Sequence, residues 1–194
     1  MKLTNIYIYH TLRNLLFFLY TRTFFHKNAR IIKGFPRIIN KGALTYGKGF
    51  TAGTDLRIEV LKKDASLKIG ENVKINDYCH IGVCYSVVIG DNCLIGSRVS
   101  IVDHDHGIYS SKDNCSPPNT KPDLRPLHGS EVKIGTNTWI AENVVIVAGV
   151  TIGQGCVIGA NSVVTSDIPD NSVAAGSPAK VIRQYDWEKR TWEK

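Results

Sequence analysis

The sequence predicts an all-β solenoid of the parallel β-helix type, and three observations predict it. Most of residues 69–169 divides into units of six residues, twelve in all, and every unit opens with isoleucine or valine. Glycine follows that aliphatic residue in seven units, and the fifth position is small or β-branched in ten. A short fixed period of this kind indicates a chain wound in stacked coils, with the first and fifth positions turned inward.

Length and composition are compatible with one such domain. The chain has 194 residues, 43% of them hydrophobic, which is enough for a sizeable core and excludes a disordered protein. Its five cysteines are an odd number without the spacing of a disulfide framework. Cys79, Cys93 and Cys156 share the fifth repeat position, so we expect small buried thiols in a reducing, cytoplasmic compartment.

The positive charge is confined to the N-terminal quarter. Residues 1–54 carry nine Lys or Arg and no Asp or Glu, whereas the remainder has a net charge of −2. A local basic segment indicates an anionic neighbour, and the chain lacks the aromatic-basic motifs of nucleic-acid modules. We therefore expect no nucleic-acid partner.

The first 40 residues form a basic and apolar segment for which a helix is predicted. Leu12, Leu15, Leu16 and Leu19 follow helical spacing, but polar residues interrupt the apolar run too often for a membrane span. Two interpretations stay open. The helix either packs on the core or on a neighbouring subunit, or lies on the anionic inner face of the cytoplasmic membrane as a peripheral anchor.

The repeat stops beside a cluster of titratable side chains. The unit IVDHDH, residues 101–106, contains two aspartates and two histidines, and residues 107–133 then lack the repeat. Insertions in solenoids leave the coil as loops, and loops carry function. We therefore expect a segment 1–40, a β-helix 41–185 with a protruding loop 107–133, and a tail 186–194.

Two long stretches give the sequence a family resemblance. The repeat, with NTWIAENVVIVAGVTIGQGCVIGANSVVTSDIP and VAAGSPAKVIR, resembles the hexapeptide-repeat acyltransferases over about residues 45–185. Within them it is similar to the galactoside and maltose O-acetyltransferases and to O-acetyltransferases of bacterial surface polysaccharides. The resemblance implies a left-handed β-helix and a homotrimer with active sites between subunits. We also expect a short C-terminal helix.

The chemistry that the resemblance implies needs one histidine. A neutral imidazole accepts the proton of an acceptor hydroxyl while the oxygen attacks the thioester of acetyl-CoA, and no covalent enzyme intermediate is required. Register with the family places the general base at His106, with His104 in reserve. One neighbouring carboxylate is expected to orient the imidazole.

Further site residues are carried over one position at a time. Asn76 matches an asparagine that faces the acceptor sugar, Cys84 replaces a nearby aspartate, and Asp103 and the loop residue Arg125 complete the predicted acceptor contacts. Two cations after a Gly-Ser-Pro turn also suit the phosphates of acetyl-CoA. The predicted acetyl-CoA contacts are Trp139, Glu142, Ala160, Thr165, Ser166, Lys180 and Arg183.

Three rival functions are compatible with this type of chain. A γ-type carbonic anhydrase would hold zinc through histidines, but the D-H-D-H spacing departs from that family and the coil phase puts His80 on another face. A non-catalytic scaffold would need neither histidine nor tail, and an N-acetyltransferase of a nucleotide-linked amino sugar is the close alternative. The sequence favours an acetyl-CoA-dependent O-acetyltransferase of surface polysaccharide biosynthesis, without a metal.

Overall fold

A computed structural model describes residues 3–109 and 114–194, so four residues of the predicted loop lie outside the described part. One helix precedes a long series of short strands. In chain order the elements are α1 (Leu3–Phe24), β1 (Ala29–Ile32), β2 (Arg37–Asn40), β3 (Ala43–Tyr46), β4 (Phe50–Ala52), β5 (Arg57–Val60), β6 (Ser66–Ile69), β7 (Lys74–Ile75), β8 (His80–Val83), β9 (Ser86–Ile89), β10 (Leu94–Ile95), β11 (Ser100–Val102), β12 (His104–His106), a 3₁₀ turn (Pro122–Leu124), β13 (Leu127–Gly129), β14 (Val132–Ile134), β15 (Trp139–Ile140), β16 (Val145–Ile146), β17 (Thr151–Ile152), β18 (Val157–Ile158), β19 (Val163–Val164), β20 (Ser172–Gly176), β21 (Ala179–Asp186) and β22 (Thr191–Glu193).

The strands form a parallel β-helix with three flat faces, as the repeat predicts. Sheet A stacks β1, β4, β7, β10, β15, β18 and β20; sheet B stacks β2, β5, β8, β11, β16 and β19; sheet C stacks β3, β6, β9, β14 and β17. The chain passes from sheet A to B to C in each coil and then begins the next coil on sheet A. The winding is consistent with the left-handed β-helix that the resemblance implies.

The core is a set of aliphatic columns, one inside each face. Ile75, Ile95, Ile140 and Ile158 stand in register on successive strands of sheet A and are buried. Burying one such side chain contributes about 1.5–3 kcal/mol, so repetition over the coils supplies the stability of the fold. The first repeat position is therefore inward, as predicted, and Cys79, Cys93 and Cys156 at the fifth position are buried as well.

Asparagine ladders close one line of corners. Asn72, Asn92 and Asn137 have positive φ angles of 54°, 59° and 57°, a left-handed conformation that asparagine tolerates better than most residues. Their amides hydrogen-bond from coil to coil, with Nδ2 to Oδ1 distances of 3.2 Å for both pairs. The polar residues of the repeat thus fix the corner geometry.

The interruption of the repeat is an antiparallel hairpin at the edge between sheets B and C. β12 and β13 pair with each other, His104 opposite Gly129, and the coil resumes at β14. The chain leaves the coil at Asp103, so the predicted loop start at residue 107 is too late. The reason is that Asp103 occupies the corner itself, and Asp105, at a nominally inward repeat position, is exposed in the hairpin.

The two ends of the solenoid differ from expectation in detail. Helix α1 confirms the N-terminal helical segment, but the first coil already starts at Ala29 rather than near residue 41. The expected C-terminal helix is wrong, because β21 and β22 add antiparallel strands to sheet A. These strands cover the edge that β20 would otherwise leave open. Among the described residues, no helix is long and apolar enough to cross a membrane.

Candidate functional site

A buried carboxylate orients one histidine where the hairpin leaves the coil. Asp103 is fully buried, and its two oxygens accept hydrogen bonds from the backbone N–H groups of Cys84 and Tyr85, both at 2.7 Å. The Oδ1 atom of Asp103, which accepts from Cys84, also lies 2.9 Å from Nδ1 of His104. Because a carboxylate only accepts hydrogen bonds, this contact places a proton on Nδ1, so that in the neutral imidazole the lone pair is on Nε2. His104 is thus arranged as a base.

Within residues 3–109 and 114–194, no buried carboxylate orients the other histidine of the cluster. The side chain of His106 is exposed, and its backbone carbonyl accepts a hydrogen bond from the hydroxyl of Tyr109 at 2.6 Å. The guanidinium of Arg125 donates to that hydroxyl and to the carbonyls of Thr120 and Pro118. Arg125, which the sequence predicts to contact the acceptor sugar, therefore stabilises the chain between β12 and β13. The general-base role of His106 stays a prediction.

Cys84 lies behind the oriented pair rather than beside an open site. Its side chain is 1% exposed, and burial, together with the nearby Asp103 carboxylate, raises the pKa of its thiol. Within the described chain, Cys84, Asp103 and His104 are the one group of metal-type donors whose atoms lie within 4.8 Å of one another. The raised pKa disfavours the thiolate that a metal would need, so these donors fit a hydrogen-bond network better.

Sheet B carries a polar hollow next to His104 that the sequence interpretation missed. His80 pairs with Ser100, and Gly82 with Val102, so His80 lies on the same face as the 101 unit and its expected placement on another face is wrong. His80 Nε2 lies 3.1 Å from Oε2 of Glu59. Hydrogen bonding to Arg57 is the main cause that lowers the pKa of Glu59, and His80 adds to it.

A second concavity runs along the edge between sheets A and B. This groove has a volume of about 570 Å³, and four of the residues predicted to bind acceptor or cofactor line it. Trp139 is half exposed at its centre and offers an apolar wall, while Gly96 and Gly159 leave the backbone open. The predicted residues in its lining are Asn76, Trp139, Glu142 and Ala160.

The remaining predicted contacts lie elsewhere on the coil. Thr165 and Ser166 are exposed at the edge between sheets B and C, two coils beyond the hairpin. Lys180 and Arg183 are exposed on β21, which extends sheet A beside β20. The predicted residues thus divide into one set along sheet A and its edge with sheet B, and a second set along the edge between sheets B and C.

Sheet B separates these two sets within one chain. The longer strands of sheet B, such as β5 and β8, contain four extended residues, which alone span about 13 Å at 3.3 Å per residue. The groove lies at one edge of this span and the Asp103–His104 pair at the other. A single chain therefore does not bring the groove beside Nε2 of His104.

The fold and the site together define a class of protein. A parallel β-helix wound from hexapeptides is the fold of hexapeptide-repeat transferases, and this chain carries an oriented imidazole at one edge and an aromatic-lined groove at another. Residues 131–166 match the family "Bacterial transferase hexapeptide (six repeats)", and residues 86–108 match "Hexapeptide repeat of succinyl-transferase".

Known proteins agree with this class. WbbJ of Escherichia coli (strain K12), a proposed lipopolysaccharide biosynthesis O-acetyltransferase, is 46% identical over 171 residues, which cover 88% of this chain and 86% of WbbJ. Galactoside O-acetyltransferase of the same strain is 40% identical over 140 residues, 66% of this chain and 68% of that protein. The fold resembles the acetyltransferase VCA0836 from Vibrio cholerae, solved with acetyl-CoA, with a TM-score of 0.52, 24% identity and coverage of 78% and 68% of the two chains. The chain belongs to the hexapeptide-repeat acyltransferase family and is an acetyltransferase.

Proposed function

We propose that the protein transfers the acetyl group of acetyl-CoA to a hydroxyl of a sugar in bacterial surface polysaccharide biosynthesis. The observation that carries the proposal is the buried Asp103 carboxylate on Nδ1 of His104, which leaves Nε2 of that imidazole as a base. The 46% identity to WbbJ, whose name refers to lipopolysaccharide biosynthesis, supports the choice of a surface-polysaccharide acceptor.

The reaction needs one proton transfer in each direction. Nε2 of His104 takes the proton of the acceptor hydroxyl while its oxygen bonds to the thioester carbonyl carbon. The carbon–sulfur bond then breaks, and the imidazolium returns its proton to the departing sulfur. The products are the O-acetyl sugar and free CoA thiol. Asp103 keeps the imidazole in one tautomer and stabilises its transient positive charge.

The general base is the point at which geometry and family register differ. Register with the family favours His106, whereas the hydrogen bond to a buried carboxylate favours His104. We propose His104 as the base because orientation by a second group is the usual support of a catalytic imidazole. His106, exposed on the same β-strand, is then free to contact the acceptor.

Acetyl-CoA is proposed to bind along the groove that Trp139, Glu142 and Ala160 line. Lys180 and Arg183 are exposed on the neighbouring β21 and offer cations to the phosphates. Because sheet B separates this groove from His104, a neighbouring copy has to supply the other half of each site. In a homotrimer, the groove of each chain can face the edge between sheets B and C of the next chain, so that three complete sites form.

A coupled assay tests the proposed function directly. Purified protein is supplied with acetyl-CoA and a panel of methyl glycosides, nucleotide sugars and polysaccharide fragments, and free thiol is measured. We expect thiol release to rise with particular glycosides and the product to be an alkali-labile ester. An alkali-stable amide product, formed only with amino sugars, would contradict the hydroxyl acceptor.

We further infer that α1 holds the enzyme on an anionic lipid surface. Exposed apolar side chains surround α1, Ile8, Leu12, Leu15 and Leu19 among them, and nine Lys or Arg without one acidic residue occupy residues 1–54. Packing like copies of this segment together would concentrate positive charge, whereas anionic phospholipid neutralises it. Two basic pockets offer sites for phosphates: one at the C-terminal end of α1 is lined by Arg22, Lys27, Arg30 and Lys48, and one on sheet A by Arg30 and Lys74.

Vesicle co-sedimentation of the full chain checks this inference. We expect the protein to bind vesicles that contain phosphatidylglycerol and to bind pure phosphatidylcholine vesicles at least about tenfold more weakly. The variant Leu12→Gln/Leu15→Gln/Leu19→Gln is expected to lose a similar share of its binding to the anionic vesicles. Leu124→Gln, at an exposed apolar residue of the hairpin, is the matched control and is expected to bind normally. Lipid-independent binding, or a triple variant that loses its oligomeric state but still sediments with vesicles, would favour subunit packing instead.

A further inference from the structure

We propose that the hollow over Gly82, between His80, Glu59 and His104, is the subsite that holds the acceptor sugar hydroxyl. This inference rests on the proposed function, because it gives His104 a substrate to act on. None of Glu59, His80 and Gly82 belongs to the acceptor contacts that the sequence predicts.

The hollow exists because residue 82 has no side chain. A Cβ atom at Gly82 would lie 3.3 Å from Cγ1 of Val102, 3.4 Å from Cε1 of His104 and 3.5 Å from Cε1 of His80. The two imidazoles therefore converge on the same point from two sides. Nε2 of His104 is bonded to that Cε1, so an atom seated in the hollow lies beside the proposed base.

The groups around the hollow are those that bind sugar hydroxyls. Nε2 of His80 donates to the carboxylate of Glu59, which leaves Nδ1 of His80 as an acceptor for a hydroxyl proton. Arg57 also donates to Glu59 and holds it in place on sheet B. A carboxylate has about four lone-pair sites, so Glu59 retains capacity for a hydroxyl after these bonds are made.

The shape and position of the hollow favour the acceptor over acetyl-CoA. The apolar wall of Trp139 and the volume of about 570 Å³ are in the groove at the other edge of sheet B, where a long ligand can lie. The hollow is bounded by one carboxylate and two imidazoles, which are polar groups placed for a compact hydroxylated ligand. The side chains of His80 and Glu59 are 33% and 16% exposed, so a ligand can reach them.

The variant Gly82→Ala fills the hollow with one methyl group. Contacts of 3.3–3.5 Å require only small shifts of three side chains, so we expect the fold and the melting temperature to be retained. The KM for the best methyl glycoside is expected to rise at least about tenfold, while the Kd of acetyl-CoA, measured by calorimetry, stays within about twofold. An unchanged acceptor KM in a folded variant would overturn the subsite.

Two Glu→Gln variants test whether the carboxylate in the hollow, and not the shape of the hollow alone, binds the acceptor. Glu59→Gln is expected to raise the acceptor KM by about tenfold or more, because an amide replaces the carboxylate that accepts the hydroxyl proton. Glu131→Gln is the matched control, since Glu131 pairs with Lys133 outside the hollow, and it is expected to leave the acceptor KM unchanged. Equal effects of both variants would contradict the assignment.

Binding without turnover keeps this inference separate from the proposed function. Methyl glycosides are titrated into protein labelled at histidine Cε1, and proton–carbon spectra are recorded without acetyl-CoA. Saturable shifts of the His80 and His104 signals, lost in Gly82→Ala, are expected even if no acetyl transfer is detected. Shifts at neither histidine, in a protein that does acetylate a glycoside, would overturn the subsite and leave the activity standing.

Discussion

Replacing His104 with asparagine is expected to lower kcat for acetyl transfer by about 10²–10⁴-fold, the usual contribution of a general base. The amide can still donate toward the buried Asp103, so the corner between sheets B and C should stay intact. The rate is measured with saturating acetyl-CoA and the best acceptor, next to the melting temperature. A normal melting temperature would assign the loss to chemistry rather than folding.

His106→Asn is the matched comparison, because the two histidines lie two positions apart on one short strand. Geometry predicts a much smaller loss, mainly in the acceptor KM, since the His106 side chain is exposed and the backbone carbonyl that accepts from Tyr109 is kept in the variant. The reverse result, a large loss in His106→Asn with near-normal turnover in His104→Asn, would support the family register and contradict the base proposed here.

Gly129→Ala is expected to reduce turnover by about 10²-fold without unfolding the solenoid. A Cβ atom at Gly129 would lie 1.9 Å from the carbonyl oxygen of Asp103 and 2.6 Å from Cα of His104, so the hairpin has to shift. A displacement of about 1 Å in a catalytic group costs on the order of 10²-fold in rate. The measurement is kcat together with far-UV circular dichroism of the purified variant.

His128→Ala is the control for this displacement. His128 is the neighbour of Gly129 on β13 and is exposed, so shortening its side chain leaves the backbone pairing with β12 in place. Its turnover is expected to be near that of the wild type. Retained turnover in Gly129→Ala would show that the position of the hairpin does not govern His104.

The repeating part of the fold can be predicted from the sequence almost completely. Inward isoleucines such as Ile95 and Ile140 recur at a fixed spacing, and a one-residue slip between coils would turn such side chains to the outer face. The resemblance also selected Trp139, Glu142 and Ala160, which line one groove together with Asn76. These residues belong to the regular coils, where position in the repeat determines position in space.

The positions of side chains in and beside the irregular parts of the chain could not be predicted in the same way. The sixth position of one unit lies on the same strand as the first position of the next, as β8 and β11 show, so grouping His80 with the face of its own unit misplaced it. Counting residues per coil instead of per unit would have shown that His80 and Ser100 are neighbours on sheet B. The burial of Asp103 depends on backbone N–H groups of the preceding coil, and a local pattern contains no trace of them.

The most direct test of the central claim follows the acetyl group itself. Protein is incubated with acetyl-CoA labelled at the carbonyl carbon and a methyl glycoside, and carbon NMR records where the label goes. The account predicts a sugar ester that forms at the rate of thiol release in the wild type and is nearly absent in His104→Asn. Ester formation at the same rate in a folded His104→Asn variant, or label appearing only as free acetate, would contradict it.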